Sequence, residues 1–479
     1  MEGQISSETA QAPTNSKKNT MRPDKKITML TSPIGKLLWK FGIPSLVGML
    51  ANALHNTIDA YFLGTVSLEA VAAVGLVFPV LMIGSAIGLA FGSGAASIIS
   101  RDLGGDNRGG ASQTLSTTLV VSVFVGTVMA ILIGLFARPI LRTLGSDASL
   151  SEIARRYLLI VLPGGVIGIG SMVLNNATRA EGAPLYGMIV IITGAILNSL
   201  LDAILVGVLS FGVTGAAVAT LVAQVLTFGA LLSRYLLRRS TVQIGARQVL
   251  GAEHRIRRVI ATGFPAFIFQ ILTIASLATL NALAGASGAS HVAGVTVAYR
   301  VITLAVFVQF GFAKGIQPVI GFNWGADQFT RARSAALATI GILAGFGLVF
   351  TLSIQAFGTE IAGMFVQGDA AEFAIRIMTY QSFFLPLGAL SVVLLIYYLA
   401  IGKTKETAIL ALVRQGLLLI PLAVLMNALG GTSGLSLAPG TADAIVSVLG
   451  ILMLVRSGIV QTFKPALLPN PRTRNPVRN

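Results

Sequence analysis

An otherwise apolar stretch of the sequence, residues 188–220, contains Asn198 and Asp202 at a spacing of four. Residues with this spacing lie on one face of a helix, so both side chains point to the same place. If the stretch crosses a membrane, a carboxylate there costs at least about 2.5–3.5 kcal/mol and usually faces a protein interior or a watery cavity. The pair therefore predicts a polar site on an ion path.

A second polar stripe lies in the first apolar stretch, where Asn52, His55 and Asp59 follow one another at spacings of three and four. These spacings place the three side chains on one helical face. Pro44 precedes them, and it is predicted to be a hinge because proline has no N–H to donate to the preceding turn.

The composition predicts an all-α polytopic membrane protein. Hydrophobic residues make up 54% of the 479 positions and charged residues only 11%, against about 25% charged in soluble domains. We count twelve apolar windows that are long enough to cross a bilayer core of about 30 Å. They are residues 36–63, 68–100, 113–137, 155–177, 184–208, 213–236, 256–285, 291–323, 332–356, 373–401, 406–429 and 440–463.

The distribution of charge predicts the topology. Lysine and arginine are concentrated before span one, in the loop after span six and after span twelve, which the positive-inside rule assigns to the cytoplasm. Arg138, Arg142, Arg155 and Arg156 are local exceptions. The net charge of +16 is therefore a topological signal rather than a nucleic-acid-binding surface.

The two halves of the chain resemble each other at an offset of 221 residues, which slips to 220 near Gly402. Gly42, Gly94 and Gly104 correspond in this way to Gly263, Gly315 and Gly325. Six spans in each half return the chain to its starting side, so the halves are parallel repeats about an axis along the membrane normal, as in transporters. We expect a disordered cytosolic arm (1–33), an N lobe (34–237), a cytosolic linker (238–255), a C lobe (256–463) and a cytosolic basic tail (464–479).

The sequence lacks the parts of an enzyme. It has no cysteine, no GxxxxGK[ST] nucleotide loop and no HExxH motif, and its three histidines, His55, His254 and His291, are scattered. We expect no cofactor and no catalytic residue.

Five motifs, in order, resemble the multidrug and toxic compound extrusion (MATE) family across residues 34–463. They are IPSLVGMLANALHNTIDAYFLG, EAVAAVGLVFPV, LNNATRAEGAP, LNSLLDAILVGVLSFGVTGAAVAT and GIQPVIGFNWGA. The resemblance implies a secondary antiporter of a bacterial inner membrane, with both termini cytoplasmic. It would export amphipathic, often cationic compounds in exchange for H⁺ or Na⁺ by alternating access. We expect a monomer surrounded by lipid, with no nucleic-acid partner.

The resemblance also implies roles for single residues. Asp59, Asn198, Asp202 and Thr220 match the cation-coupling site of the N lobe and are the candidate ligands if the ion is Na⁺. Two close carboxyl groups also suit a shared proton, so the sequence leaves the ion open. Asn52 and Asn175 match positions that line the drug cavity, and we assign Gln317 to this cavity as well. Gln317 and Pro318 are further predicted to break span eight.

This sequence departs from the family pattern at several positions. His55 stands where relatives usually have tyrosine, and it is either a hydrogen-bonded substitute for the phenol or a participant in proton coupling, which favours H⁺. In the second half, Leu280, Leu418 and Leu422 replace the acids and the asparagine, so we expect a neutral C lobe. Arg300 and Lys314 are interpreted as residues that snorkel or form ion pairs.

Two other functions are kept as alternatives. A lipid-linked oligosaccharide or polysaccharide flippase uses a similar bundle, but it would be expected to have a more cationic cavity. A membrane-embedded enzyme or receptor would have no need of a duplicated six-span unit.

Overall fold

The structure is a computed structural model that describes residues 28–144, 148–249, 252–286 and 288–456, and all regular elements in this part of the chain are helical. The helices are α1 (Ile34–Val66), α2 (Leu68–Gly104), α3 (Arg108–Leu135), α4 (Ala137–Thr143), α5 (Ala148–Ala180), α6 (Pro184–Asp202), α7 (Gly212–Leu236), α8 (Ala246–Val249), α9 (Glu253–Gly285), α10 (Ala289–Gly325), α11 (Phe329–Gly363), α12 (Asp369–Phe383), α13 (Leu385–Ile401), α14 (Thr404–Leu412) and α15 (Ile420–Arg456). Two π-helical segments, Ala203–Val208 and Val413–Leu419, continue α6 and join α14 to α15.

Ten helices in the described residues are long and apolar enough to cross a membrane, and the bent pair α12 and α13, at 57°, brings the number to eleven. The last of the ten runs from Thr404 to Met453, over 50 residues, or about 75 Å at 1.5 Å per residue. This is more than twice the apolar thickness of a bilayer. Gly431 interrupts it with non-helical angles, φ 56° and ψ −140°, which place it in a backbone region that is nearly closed to other residues.

The helices extend past most of the predicted apolar windows because polar residues continue and cap them. Ser67 accepts a hydrogen bond from the Ala70 N–H at the start of α2, and Asn107 does the same for Gly110 at the start of α3. Pro318 lies inside an unbroken α10, so the predicted break of span eight is wrong. Residues 430–439, predicted to be a loop, are helical apart from Gly431.

The end of the predicted disordered arm is ordered. Residues 28–31 form a helical turn, and the Met29 side chain is 3% exposed. Asn323 donates to the Met29 carbonyl and Arg331 to the Ser32 carbonyl, so α10 and α11 hold this segment in place. The rest of the arm (1–27) and the basic tail (464–479) lie outside the described residues.

The first half (α1–α7) and the second half (α9–α15) meet in a glycine-lined contact, here called the seam. A Cβ at Gly104 would overlap the carbonyl oxygen of Phe322, and one at Gly325 would overlap that of Arg101. Arg101 and Phe322 are themselves related by the repeat offset, so the seam is locally two-fold symmetric. Two further close approaches are related to each other by the same two-fold symmetry: Gly94 lies against Gly263, and Gly42 lies against Gly315.

The seam lies at the end of the bundle where α1 and α9 begin and α2 and α10 end, here called the linker end. Polar bonds reinforce it: Asp102 pairs with Arg255 at 2.6 Å, and the Ser97 hydroxyl donates to the Leu399 carbonyl. Towards the opposite end α1 leaves the core, since from Leu46 to Val66 only Leu63 is buried among its described side chains. The halves are therefore closed together at the linker end and separate at the other.

Candidate functional site

Three helices of the first half bring the predicted coupling residues together. His55 and Asp59 come from α1, Asn198 and Asp202 from the end of α6, and Thr220 from α7. Directly after Asp202 the helix widens into the π-helical segment Ala203–Val208. Such π-bulges are often found at functional sites.

Asn198 is the centre of the hydrogen-bond arrangement. With its amide oriented to satisfy its neighbours, its nitrogen donates to Asp59 Oδ1 at 2.9 Å and to His55 Nδ1 at 2.8 Å, while its oxygen accepts from the Thr220 N–H at 3.1 Å. His55 Nδ1 is 3.3 Å from Asp59 Oδ1. A donated bond at Nδ1 requires an unprotonated Nδ1. This set of bonds therefore describes a neutral His55 whose Nδ1 accepts from Asn198.

Asp59 and Asp202 face each other across the contact between α1 and α6. Asp202 is 1% exposed, and neither of its carboxyl oxygens has a hydrogen-bond partner among the described residues. Two ionised carboxylates repel at this range, and a buried charge without a partner is costly. The pair therefore needs a shared proton or a bound cation.

A cavity of about 60 Å³ adjoins these residues and is lined by Asn52, His55, Asn198 and Thr220 among others. It has room for an ion with a few waters, because one water needs about 10–15 Å³, whereas drug pockets take about 300–1,000 Å³. Sequence reasoning missed Gln224 and Thr227, which also line it, and Tyr157 of α5, which faces Thr220 and both carboxyl groups. Gln224 lies one helical turn after Thr220, and this spacing was a usable signal.

The remaining predicted residues are not gathered at one place. Asn52 is exposed and lines the small cavity, but the Asn175 amide packs against Gly187 of α6. Gln317 is 3% exposed and donates to the Ser93 carbonyl across the seam, so it does not line an open cavity in this structure. Pro44 lies inside α1, which runs without a break.

The expectation of a neutral second half needs a correction. Leu280, Leu418 and Leu422 do replace the coupling residues, but Arg414 and Asp443 form a buried ion pair at 2.7 Å. They lie 29 residues apart, on either side of the Gly431 break, and that reversal of the chain brings them together. Because Asp443 is already paired with Arg414, its carboxylate is not free to bind a coupling ion as well.

The linker after α7 docks onto the first half through Glu181, which belongs to the LNNATRAEGAP motif. Glu181 accepts hydrogen bonds from the Ser240 hydroxyl and the Thr241 N–H, and it lies 3.7 Å from Arg234. Burial raises the pKa of this carboxyl, and the hydrogen bonds and the Arg234 charge oppose this only in part. The linker is thus held to a fully buried acid outside the membrane-spanning helices.

Comparisons with known proteins agree with this arrangement. A family model, MatE, matches residues 44–204 and 265–425, so both the starts and the ends of its two matches differ by the repeat offset of 221 residues. Multidrug export protein MepA of Staphylococcus aureus (strain MSSA476) is 24% identical over 425 residues, which cover 88% of this chain and 94% of MepA.

Two solved structures share the fold, each with a TM-score of 0.86 and 25% identity. One is described as "Crystal structure of MATE in complex with MaD3S" and the other as an outward-facing conformation of a multidrug resistance MATE family transporter of the MOP superfamily. Each comparison covers 92% of this chain and 99% of the other. The two family matches and these likenesses show that the chain belongs to the MATE family of efflux transporters.

Proposed function

We propose that this protein is a secondary antiporter that exports amphipathic, often cationic compounds in exchange for H⁺ or Na⁺. The observation that carries the proposal is the pair of facing carboxyl groups, Asp59 and Asp202, beside a cavity of ion size. The multidrug-export name of MepA supports the class of substrate. It does not favour the oligosaccharide flippase.

The site accommodates either ion, but its histidine favours H⁺. Asp59, Asp202, Asn198 and Thr220 supply oxygen atoms of the kind that bind Na⁺. His55 lies 3.3 Å from Asp59, and its imidazole can carry a proton but cannot ligate Na⁺ once protonated. We therefore propose that His55, Asp59 and Asp202 hold the coupling protons.

Transport would follow from the seam. We assign the linker end to the cytoplasm of a bacterial inner membrane because the basic residues of the linker lie there. With Gly431 as a reversal between two crossings, the chain makes twelve crossings in two lobes, and the closed seam corresponds to an outward-facing state. Opening the seam while the opposite ends close would give alternating access around Pro44 and the small cavity.

Coupling would arise from competition between charges. A cationic compound is favoured by ionised Asp59 and Asp202, whereas protonation from outside neutralises them and favours release. Each ligand must then weaken the other by the same factor, as linkage requires.

The test is dye efflux from proteoliposomes under separately imposed pH and Na⁺ gradients. An inwardly directed gradient of the coupling ion should drive a cationic dye out of the vesicles, and we expect H⁺ to be that ion. If neither gradient drives transport of any dye, the protein is not an antiporter. If only Na⁺ does, the assignment of protons to His55 is wrong.

A further inference from the structure

Two basic side chains lie between the halves and have no acidic partner among the described residues. Arg179 is near the end of α5, Lys314 lies in α10, and their positive charges are close enough to repel each other. Within the described part of the chain, Arg179 donates to Asn176 Oδ1 at 2.6 Å and to Ser45 Oγ at 3.5 Å. Lys314 has no hydrogen bond or ion pair there, so of the two predicted alternatives, snorkelling and pairing, pairing is not found.

Both side chains flank the same segment of α1, residues 41–46, which contains Pro44. Arg179 reaches it from the first half through Ser45. Lys314 lies beside it in the second half, since Gly311 and Gly315 of the same helix turn pack on Leu46 and Phe41. The two cations therefore meet at the seam, one from each half.

Three other partly buried basic residues are neutralised by carboxylates. Arg255 pairs with Asp102 at 2.6 Å, Arg414 with Asp443 at 2.7 Å and Arg234 with Glu181 at 3.7 Å. Two neighbouring cations without a counter-charge are costly inside a membrane protein, and an anion between them would relieve both their repulsion and their desolvation.

We propose that Arg179 and Lys314 form an anion-binding site that takes the carboxylate or phosphate group of an amphipathic ligand. The guanidinium group still has donors beyond the two it uses, and the ammonium group has all three of its own. The Ser45 hydroxyl adds a further polar contact beside them. If the ligand is cargo, which rests on the proposed export function, the substrates include zwitterionic and anionic amphiphiles as well as cations.

The site also ties ligand binding to conformation. Its two cations belong to different halves, so they stand together only while the seam is closed. An anion that binds both cations favours the closed seam. It shifts the equilibrium between closed and open seam by the ratio of its affinities for the two states.

The experiment measures equilibrium binding to the purified full-length protein in an uncharged detergent. Dodecyl phosphate and dodecanoate are the anionic probes, and dodecyltrimethylammonium is the cationic probe with the same chain. We expect Lys314→Met to weaken binding of the anionic probes by about tenfold or more, because a charged hydrogen-bonding partner is lost. Lys314→Arg should retain most of the affinity. Lys405→Met, the same change at an exposed position of α14, should leave it unchanged.

A second arm separates a soluble ligand from a lipid headgroup by comparing the wild type in phosphatidylglycerol and phosphatidylcholine nanodiscs. If the lipid competes with dodecyl phosphate in phosphatidylglycerol nanodiscs but not in phosphatidylcholine nanodiscs, an anionic lipid headgroup occupies the same site. Equal affinities in wild type and Lys314→Met, or an equal loss in Lys405→Met, would overturn the proposal. Because binding needs no transport, a failure of this test is distinct from a failure of dye efflux.

Discussion

Asp59 of α1 and Asp202 of α6 face each other with their carboxyl groups, although 142 residues lie between them in the chain. Within the described residues neither pairs with lysine or arginine, and the neighbouring titratable base is His55, 3.3 Å from Asp59. By contrast, the second half holds a buried acid, Asp443, that is already neutralised by Arg414. We therefore propose that ion coupling uses the first half alone.

His55→Tyr should change the pH dependence of drug binding without abolishing binding. A cationic drug prefers ionised carboxyl groups, so its affinity in detergent should weaken as pH falls. Tyrosine keeps a hydrogen-bonding group but removes the imidazole that shares protons with Asp59. The midpoint of the affinity–pH curve should therefore move, as measured by equilibrium dye binding. An affinity that is flat in pH but responds to millimolar Na⁺ would contradict the proton assignment.

Gly325→Ala should open the seam. The new methyl group would overlap the backbone carbonyl of Arg101, which cannot turn aside as a side chain can. Overpacking of this kind costs about 1–3 kcal/mol, enough to change the ratio of closed to open seam by about tenfold.

The measurement uses the absence of cysteine from the chain. Ser97→Cys places a single thiol in the seam, and its alkylation should be faster when Gly325→Ala is added. Gly345→Ala, in α11 with open space around it, is the matched control and should have no effect. Unchanged alkylation in the Gly325→Ala protein would refute the seam as the closed gate.

Arg414→Met should destabilise the protein by about 3–5 kcal/mol because it leaves Asp443 buried and unpaired. Replacing both residues by leucine should recover most of that loss, as thermal unfolding would show. Lys403→Met removes one partner of an exposed pair with Glu406 and should change stability by less than about 1 kcal/mol. If the losses in unfolding free energy of the Arg414 and Asp443 single variants add up to that of the double variant, the two residues do not stabilise each other.

Docking of the linker should weaken as pH rises. Because burial raises the pKa of Glu181, the docked state holds its proton more tightly than the undocked state. The contribution of Glu181 to docking is therefore complete below the ordinary glutamate pKa of about 4.3. It is lost as pH rises through the pKa of Glu181 in the docked state. Hydrogen exchange of the Thr241 and Gln243 amides, corrected for intrinsic rates, should show this trend, and Glu181→Gln should flatten it. If protection of these amides from exchange increases with pH over this range, the predicted role of Glu181 is wrong.

Helical spacing and family motifs were sufficient to predict that Asp59, Asn198 and Thr220 meet, because residues on one helical face and a shared motif order define most of this site. They were not sufficient to predict that Tyr157 joins the site, because Tyr157 is a single polar group on an apolar helix. Its orientation depends on how α5 packs against α1 and α7, and spacing along one helix does not contain this information.

The same limit explains two of the corrected expectations. Gln317 is polar on a helix that borders both a cavity and the seam, and only the packing of α10 on α2 decides between them. The Arg414–Asp443 pair depends on the reversal at Gly431, which the apolar pattern predicted as a longer loop.

The most direct test of ion coupling is gradient-driven efflux by Asp59→Asn and Asp202→Asn proteins in proteoliposomes. Each substitution keeps the shape of the side chain and removes the charge that holds the coupling ion. We predict that both variants fold and bind a cationic dye, although more weakly, but lose efflux driven by an imposed gradient. Asp106→Asn, in the turn after α2, should transport like the wild type, since asparagine also tolerates the positive φ at that position. Full gradient-driven efflux by either the Asp59 or the Asp202 variant would contradict the assignment of the coupling site.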